Sequence, residues 1–257
     1  MDKLFFIVLA FLFWTGCGSQ QQVVVSDFSH ADPQVQKVLL KAFEANGGYE
    51  TYQNLASLSY KKRSILYYPD GGVESDVTQY HEYTISPELS ATIFWTKDGQ
   101  RHSIQYDHGV GQKYIDGELI PDGSKSATSS FLSAHYVLFM PFKLADEYVQ
   151  LSYAGVDNVL DKEVDVIKAV YSPTDHDSHS TSDTWWYYFD RNSGDYAGSM
   201  VYHEPTYAFI ENTRQNTDLP LVMNTYRVSH RVDSDRNKEY VRGEFFYEDY
   251  EMTFRDQ

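Results

Sequence analysis

Alternation with a period of two runs through most of this chain and constrains its fold more than any other feature. HSIQYD sets His102, Ile104 and Tyr106 on one face and Ser103, Gln105 and Asp107 on the other. ATIFWT groups Ala91, Ile93 and Trp95. SLSYKKRSILYY and VESDVTQYHEYTI flank Pro-Asp-Gly-Gly and read as a hairpin. GQKYIDGELI reads as a shorter strand pair around Asp116-Gly117. The pattern returns in YVQLSYAGV, EVDVIKAVYS, DTWWYYFD, AGSMVYHE, TYAFIEN, LVMNTYRVSH and EYVRGEFFYEDYEM, with turn residues at short intervals. No helical connections suited to βαβ units separate these strands, so they are expected to pair antiparallel. A hydrophobic share of 42% supplies a sizeable core, and an aromatic share of 16%, Tyr foremost, suits a pleated, half-buried surface. The expected fold class is mainly β (α+β): one long antiparallel sheet with a helix before it and another in its middle.

Both helices carry local punctuation. Asp32 can cap the first, Pro33 suits its first position, and Gly47 and Gly48 can stop it. Val35, Val38, Leu39, Ala42 and Phe43 recur at helical spacing and form one packing stripe. A short helical turn is expected in YETYQNLA. The second helix falls in SATSSFLSAHYVLFMPFKLAD, with a cap at Ser126 and a stop at Pro141. Phe131, Leu132, His135, Tyr136, Leu138 and Phe139 leave little of it polar, so it is expected to lie buried against the sheet.

The N-terminus is a different kind of sequence. An apolar run from Leu4 to Trp14 follows Lys3. It is too short for a bilayer, which takes roughly 20 residues as a helix, and reads as a secretory signal peptide. Thr15, Gly16 and the single cysteine, Cys17, resemble the end of a bacterial lipobox, with Trp14 where Leu is usual. Acylation of Cys17 would supply the two chains that stable anchoring requires. A signal peptide with an unmodified Cys17 and an uncleaved anchor are the alternatives. Residues 1–16 are thus assigned as lipoprotein signal peptide, 17–31 as lipidated Cys and polar tether, and 32–257 as a single domain. No acidic residues follow Cys17 directly and position 18 is Gly, so the expected location is the outer membrane, facing the periplasm.

A net charge of −16 repels phosphate backbones and anionic headgroups, so no nucleic-acid partner is expected. Catalytic motifs are weak. Asp175, His176, Asp177, His179 and Asp183 are competent metal ligands, but their spacing fits no metal motif and a solvated loop explains them. Asp233, Asp235, Asn237 and Glu244 match positions 1, 3, 5 and 12 of an EF-hand loop, but Lys238 stands where that loop needs Gly. A hairpin turn is the simpler reading. Ser59-Tyr60-Lys61-Lys62 fits Ser-x-x-Lys without its companion motifs. Gly109-Val110-Gly111 leads to Tyr114, where a dinucleotide loop needs its third Gly. His81, His102, His108, His135, His203 and His230 form no cluster legible in the sequence and read as satisfied imidazoles. No catalytic residue, metal or cofactor is expected.

Trp185-Trp186-Tyr187-Tyr188-Phe189 offers large aromatics to both faces of one strand, which implies either a second packing surface or a ligand cavity. The order of several segments carries a resemblance: a first helix running into Asn46-Gly47-Gly48, FMPFKLAD at 139–146, YYFDRNSGDYAGSMVYHE, and DLPLVMNTYRV at 218–228. In that order they resemble the LolA-like and LppX-like lipoprotein-localisation fold, and more narrowly the Bacteroidetes lipoproteins grouped as DUF6503. The resemblance implies a curved half-barrel sheet with helices on its concave side, and a concave cavity that takes acyl chains. It supplies no catalytic residues. The expected function is non-enzymatic binding of a hydrophobic ligand, a lipid or the acyl moiety of a lipoprotein, by a membrane-anchored envelope protein. The expected cavity lining is Ile93, Trp95, Phe131, His135, Phe139 and Trp185, and Phe139→Asp is expected to abolish uptake with the sheet intact. An envelope scaffold without a cavity is the alternative, and a metal-dependent envelope hydrolase a third reading.

Overall fold

The computed structural model describes residues 32–146, 148–171 and 183–255. The expected signal peptide, Cys17, the expected tether and the whole of Asp175–His179 lie outside them. Among the described residues there are three α-helices: α1 (Pro33–Ala45), α2 (Tyr49–Gln53) and α3 (Ser124–Leu138). Six strands precede α3: β1 (Leu55–Tyr67), β2 (Val73–Thr84), β3 (Ser90–Lys97), β4 (Gln100–Asp107), β5 (Val110–Ile115) and β6 (Glu118–Leu119). Seven follow it: β7 (Val149–Val159), β8 (Lys162–Tyr171), β9 (Thr184–Asp190), β10 (Tyr196–His203), β11 (Thr206–Asn216), β12 (Met223–Val232) and β13 (Lys238–Phe254).

All thirteen strands form one antiparallel sheet in the order β6-β5-β4-β3-β2-β1-β13-β12-β11-β10-β9-β8-β7. The first and last strands pair with each other at its middle, Lys62 opposite Tyr247. Two meanders run outward from that seam, and the sheet stays open at β6 and β7. Those edges are joined in sequence through α3, so the mid-chain helix must cross from one side of the sheet to the other. This is the single antiparallel sheet with few helices that the alternation predicts, and its curvature is what the resemblance implies.

The first helix follows its punctuation. Asp32 Oδ1 accepts from Gln34 N at 2.7 Å, and the expected stripe of Val35, Val38, Leu39, Ala42 and Phe43 is buried. Gly47 adopts φ +105°, and a Cβ there would sit 2.3 Å from the Pro220 carbonyl oxygen. Val222 N also donates to Asn46 O at 3.1 Å. The Asn-Gly-Gly and Asp-Leu-Pro-Leu segments therefore meet in space. FMPFKLAD joins them through rings: Phe142 lies 5.5 Å from Phe43 and stacks on Tyr52 at 4.7 Å.

The mid-chain helix begins three residues earlier than expected, at Ser124. Ser126 donates back to Gly123 O instead of capping, and Gly123 is the N-cap with no side-chain bond. What fixes the helix is its contact with β5. Gly111 N donates to Thr128 Oγ1 and Ser124 Oγ donates to Gly111 O, both at 2.8 Å. A Cβ on Gly111 would lie 2.4 Å from Thr128 N and 2.6 Å from Ala127 C, both backbone atoms. Gly111→Ala is therefore expected to push α3 off β5 and cost about 1–3 kcal/mol, read as a drop in denaturation midpoint. An unchanged midpoint would show that the close approach is dispensable.

Trp185, Tyr187 and Phe189 belong to the main core, with α1 and α3. Trp186 and Tyr188 face the other way, onto a smaller cluster with Val164, Met200, Phe209 and Val232. The second packing surface foreseen for that aromatic strand is present. Among the described residues no helix is long and apolar enough to cross a membrane.

Candidate ligand cavity

A cavity of about 470 Å³ lies between α3 and the inner face of the sheet. The helix offers it Ser130, Ser133, Ala134 and Val137, spaced i, i+3, i+4 and i+7, so one helical face forms this wall. Ile93 and Ile104 form the apolar floor on β3 and β4, and Trp185, Tyr187 and Ile210 close the far side. Between them run Gln79 and His81 on β2, Lys62 on β1, Phe245 and Tyr247 on β13, and Arg227 and Ser229 on β12. Register explains this grouping: Lys62 lies opposite both Gln79 and Tyr247, and Arg227 opposite both Phe245 and Asn212.

Two cations converge on Tyr247. Lys62 Nζ lies 5.8 Å from its ring centroid and 5.4 Å from that of Phe245. Arg227 is 7% exposed, donates Nε to Asn212 Oδ1 at 2.9 Å and hydrogen-bonds the Tyr247 phenol. Burial pushes that phenol up, but the two cations outweigh it and hold Tyr247 below the ordinary tyrosine value. Among the described residues no carboxylate lines the cavity.

The imidazole of His81 is fully buried, and burial, with Lys62 beside it, holds its pKa well below the usual histidine value. Its Nδ1 meets the hydroxyls of Tyr60 at 3.1 Å and Tyr83 at 2.9 Å. A neutral ring that accepts there carries its proton on Nε2, which has no partner among the described residues. On the opposite wall Tyr136, Tyr171 and Tyr187 form a chain of hydroxyls, 2.7 Å at each step. Burial keeps all three neutral.

Of the six residues expected to line a cavity, the structure brings Ile93 and Trp185 onto its wall. Trp95 stacks on His102 at 5.3 Å in an adjoining depression that shares Gln79. Phe131, His135 and Phe139 lie elsewhere: they sit on the face of α3 turned into the core and its continuation. Phe131 stacks on Tyr106 at 4.0 Å, and His135 lies between Phe131 and Phe139 at 5.7 and 4.9 Å. Large rings fill space and the sheet takes them, so the small side chains of α3 are left facing the void. Lys62, His81 and Arg227 escaped the sequence reading. The signal was present, because alternation puts Lys62 on the face of buried Leu58 and Tyr60, where a cation is unusual.

The other constellations do not converge. Asp183 Oδ1 lies 2.6 Å from His203 Nδ1. Asp233 accepts from Asp235 N and Asn237 N, both at 2.9 Å, and closes a hairpin turn, while Glu244 accepts from the hydroxyls of Tyr67 and Tyr226. Among the described residues no three His, Cys, Asp or Glu are grouped to hold a metal.

No protein-family model matches this chain, and no curated protein is significantly similar in sequence. Solved structures are similar in fold. A DUF1329 family protein from Desulfovibrio piger aligns with TM-score 0.57 at 9% identity, covering 85% of this chain and 92% of that one. A LolA superfamily protein from Nitrosomonas europaea aligns with TM-score 0.54 at 11% identity, covering 86% and 94%. A putative outer membrane lipoprotein-sorting protein domain from Vibrio parahaemolyticus gives 0.51 at 11%, covering 84% and 91%. The chain has a LolA-like fold. At these identities the likeness is one of architecture, and it includes the open curved sheet whose inner face bounds the cavity.

Proposed function

We propose that this protein is a non-enzymatic envelope lipoprotein, of the DUF6503 kind, that binds a hydrophobic ligand in the cavity beneath α3. The supporting observation is the cavity itself. At about 470 Å³ it falls within the range of small-molecule sites. Isoleucines, Trp185 and Phe245 supply apolar wall, and a few polar groups are spaced among them. A lipid or a lipoprotein acyl chain fits that chemistry, and the similarity to the Vibrio lipoprotein-sorting domain agrees with it. Acylation at Cys17 would hold the domain at the outer membrane, facing the periplasm, on the tether of residues 17–31.

Native mass spectrometry of the chain isolated from a bacterial envelope tests this reading. A co-purifying adduct of lipid mass is expected, together with a diacylglyceryl modification at Cys17. A chain that stays free of adduct when mixed with fatty acids and phospholipids would favour the scaffold reading, which rests on the open edge at β7 with its exposed Val156. Filling the void gives a second check. Ala134→Trp places a large ring on the cavity face of α3 and is expected to remove the adduct while the far-UV circular dichroism stays that of the wild type. An adduct retained in this variant would place the ligand elsewhere.

A further inference from the structure

The chain is strongly acidic, yet its cavity is lined by two cations and, among the described residues, no carboxylate. Alternation produces this segregation. On β2, β11 and β13 the inward positions hold Gln79, His81, Ile210, Phe245 and Tyr247. Glu82, Glu211, Glu244 and Glu248 on the same strands fall on the opposite parity and face outward. Out there three of them are already engaged: Glu248 with Lys61 at 3.0 Å, Glu211 with Lys238, Glu244 with two tyrosine hydroxyls. The adjoining depression repeats the pattern, with Lys97, Lys113 and His102 and no acid.

A buried guanidinium normally sits against a carboxylate, because desolvating its charge alone is costly. Arg227 has instead a neutral amide oxygen and a phenol. Lys62 has two aromatic faces. Among the described residues neither cation forms an ion pair. The unpartnered Nε2 of buried His81 adds a neutral donor to the same wall. These groups can be satisfied together by one anionic, oxygen-bearing group placed over Tyr247.

We propose that the ligand is an acyl chain with an anionic head, and that Lys62 and Arg227 hold that head while the apolar walls hold the chain. This rests on the cavity reading above and narrows it, because the acyl groups of a lipoprotein are neutral esters and amides. A fatty-acid carboxylate and a lysophospholipid phosphate share the required chemistry.

Displacement of the neutral dye N-phenyl-1-naphthylamine from the purified full chain tests the assignment, at roughly pH 8, where a carboxylate is ionised. Palmitic acid, palmitoyl lysophosphatidic acid and hexadecanol carry saturated chains of equal length and differ in the head. At least one acid is expected to displace dye about 10-fold more tightly than the alcohol, the size of a charge-assisted hydrogen bond. The tighter acid names the head as carboxylate or phosphate. The gap between acid and alcohol is expected to close in Lys62→Met and in Arg227→Met. Lys62 is half-buried, so its variant keeps the test open if loss of Arg227 disturbs folding. Equal displacement by all three would overturn the anionic head and leave the hydrophobic cavity standing. A gap that survives in Lys62→Met and in a folded Arg227→Met would overturn the residue assignment. Failure of every ligand to displace dye would overturn the cavity reading itself.

Discussion

Replacing Phe139 by Asp is expected to cost the domain its fold, about 4 kcal/mol or more. Phe139 is 2% exposed at the C-cap of α3. Its ring lies 4.9 Å from that of His135 and 5.4 Å from that of Tyr52, so it joins the mid-chain helix to α2. A carboxylate there is buried among rings, Lys143 is already paired with Asp146, and removing the ring leaves a void beside Tyr52 and His135. The sequence alone suggests loss of uptake with the sheet intact. The burial of Phe139 changes the expected outcome to loss of the cooperative transition in urea, with Phe139→Leu retaining it at a lower midpoint. A Phe139→Asp chain that unfolds at the wild-type midpoint would show that this ring cluster contributes little.

That correction marks what the sequence can and cannot reveal. Period two in β3 and β4 and period 3.6 in α1 say which residues share a face, and those groupings appear as buried stripes in the structure. Turn residues place the hairpins, and the antiparallel order follows from their short spacing. For α3 the pattern is ambiguous, because apolar residues surround it. Two faces compete for burial, and which one the sheet takes depends on the contact at Gly111, between residues far from Phe139 in sequence. The same limit applies to the cations. Lys62 and Arg227 each show inward parity within their own strands. Their convergence on Tyr247 depends on pairing between β1 and β13, which joins the two ends of the chain. Local alternation carries no information about that seam.

Three buried histidines, His81, His135 and His230, set an expected dependence of stability on pH, and burial with Lys238 nearby holds His230 below its ordinary value. Burial, with Lys143 nearby, pushes His135 down to about 3, and His81 is held well below its ordinary 6.5 by burial and Lys62. Unfolding releases these rings to water, where they titrate near 6.5. Below that pH the unfolded chain therefore binds more protons than the folded one, and stability rises with pH. The contribution is fully present above about pH 6.5 and is lost as pH falls toward the folded values. Each ring contributes a slope of about 1.4 kcal/mol per pH unit once its unfolded form is protonated, so His81 and His135 together give nearly 3. Unfolding free energies from urea titrations should fall at about that rate or faster between roughly pH 6 and 5. In His135→Leu the slope should fall by about 1.4 kcal/mol per pH unit, because one proton fewer is taken up. Carboxylates held low by hydrogen bonds and cations, such as Glu244 and Asp157, act with the same sign but only at more acidic pH, near their unfolded values. The upper window therefore reports on the histidines. A flat profile there would mean that His81 and His135 are charged or solvated in the folded protein, and that the aromatic layer between α3 and the sheet is open to water.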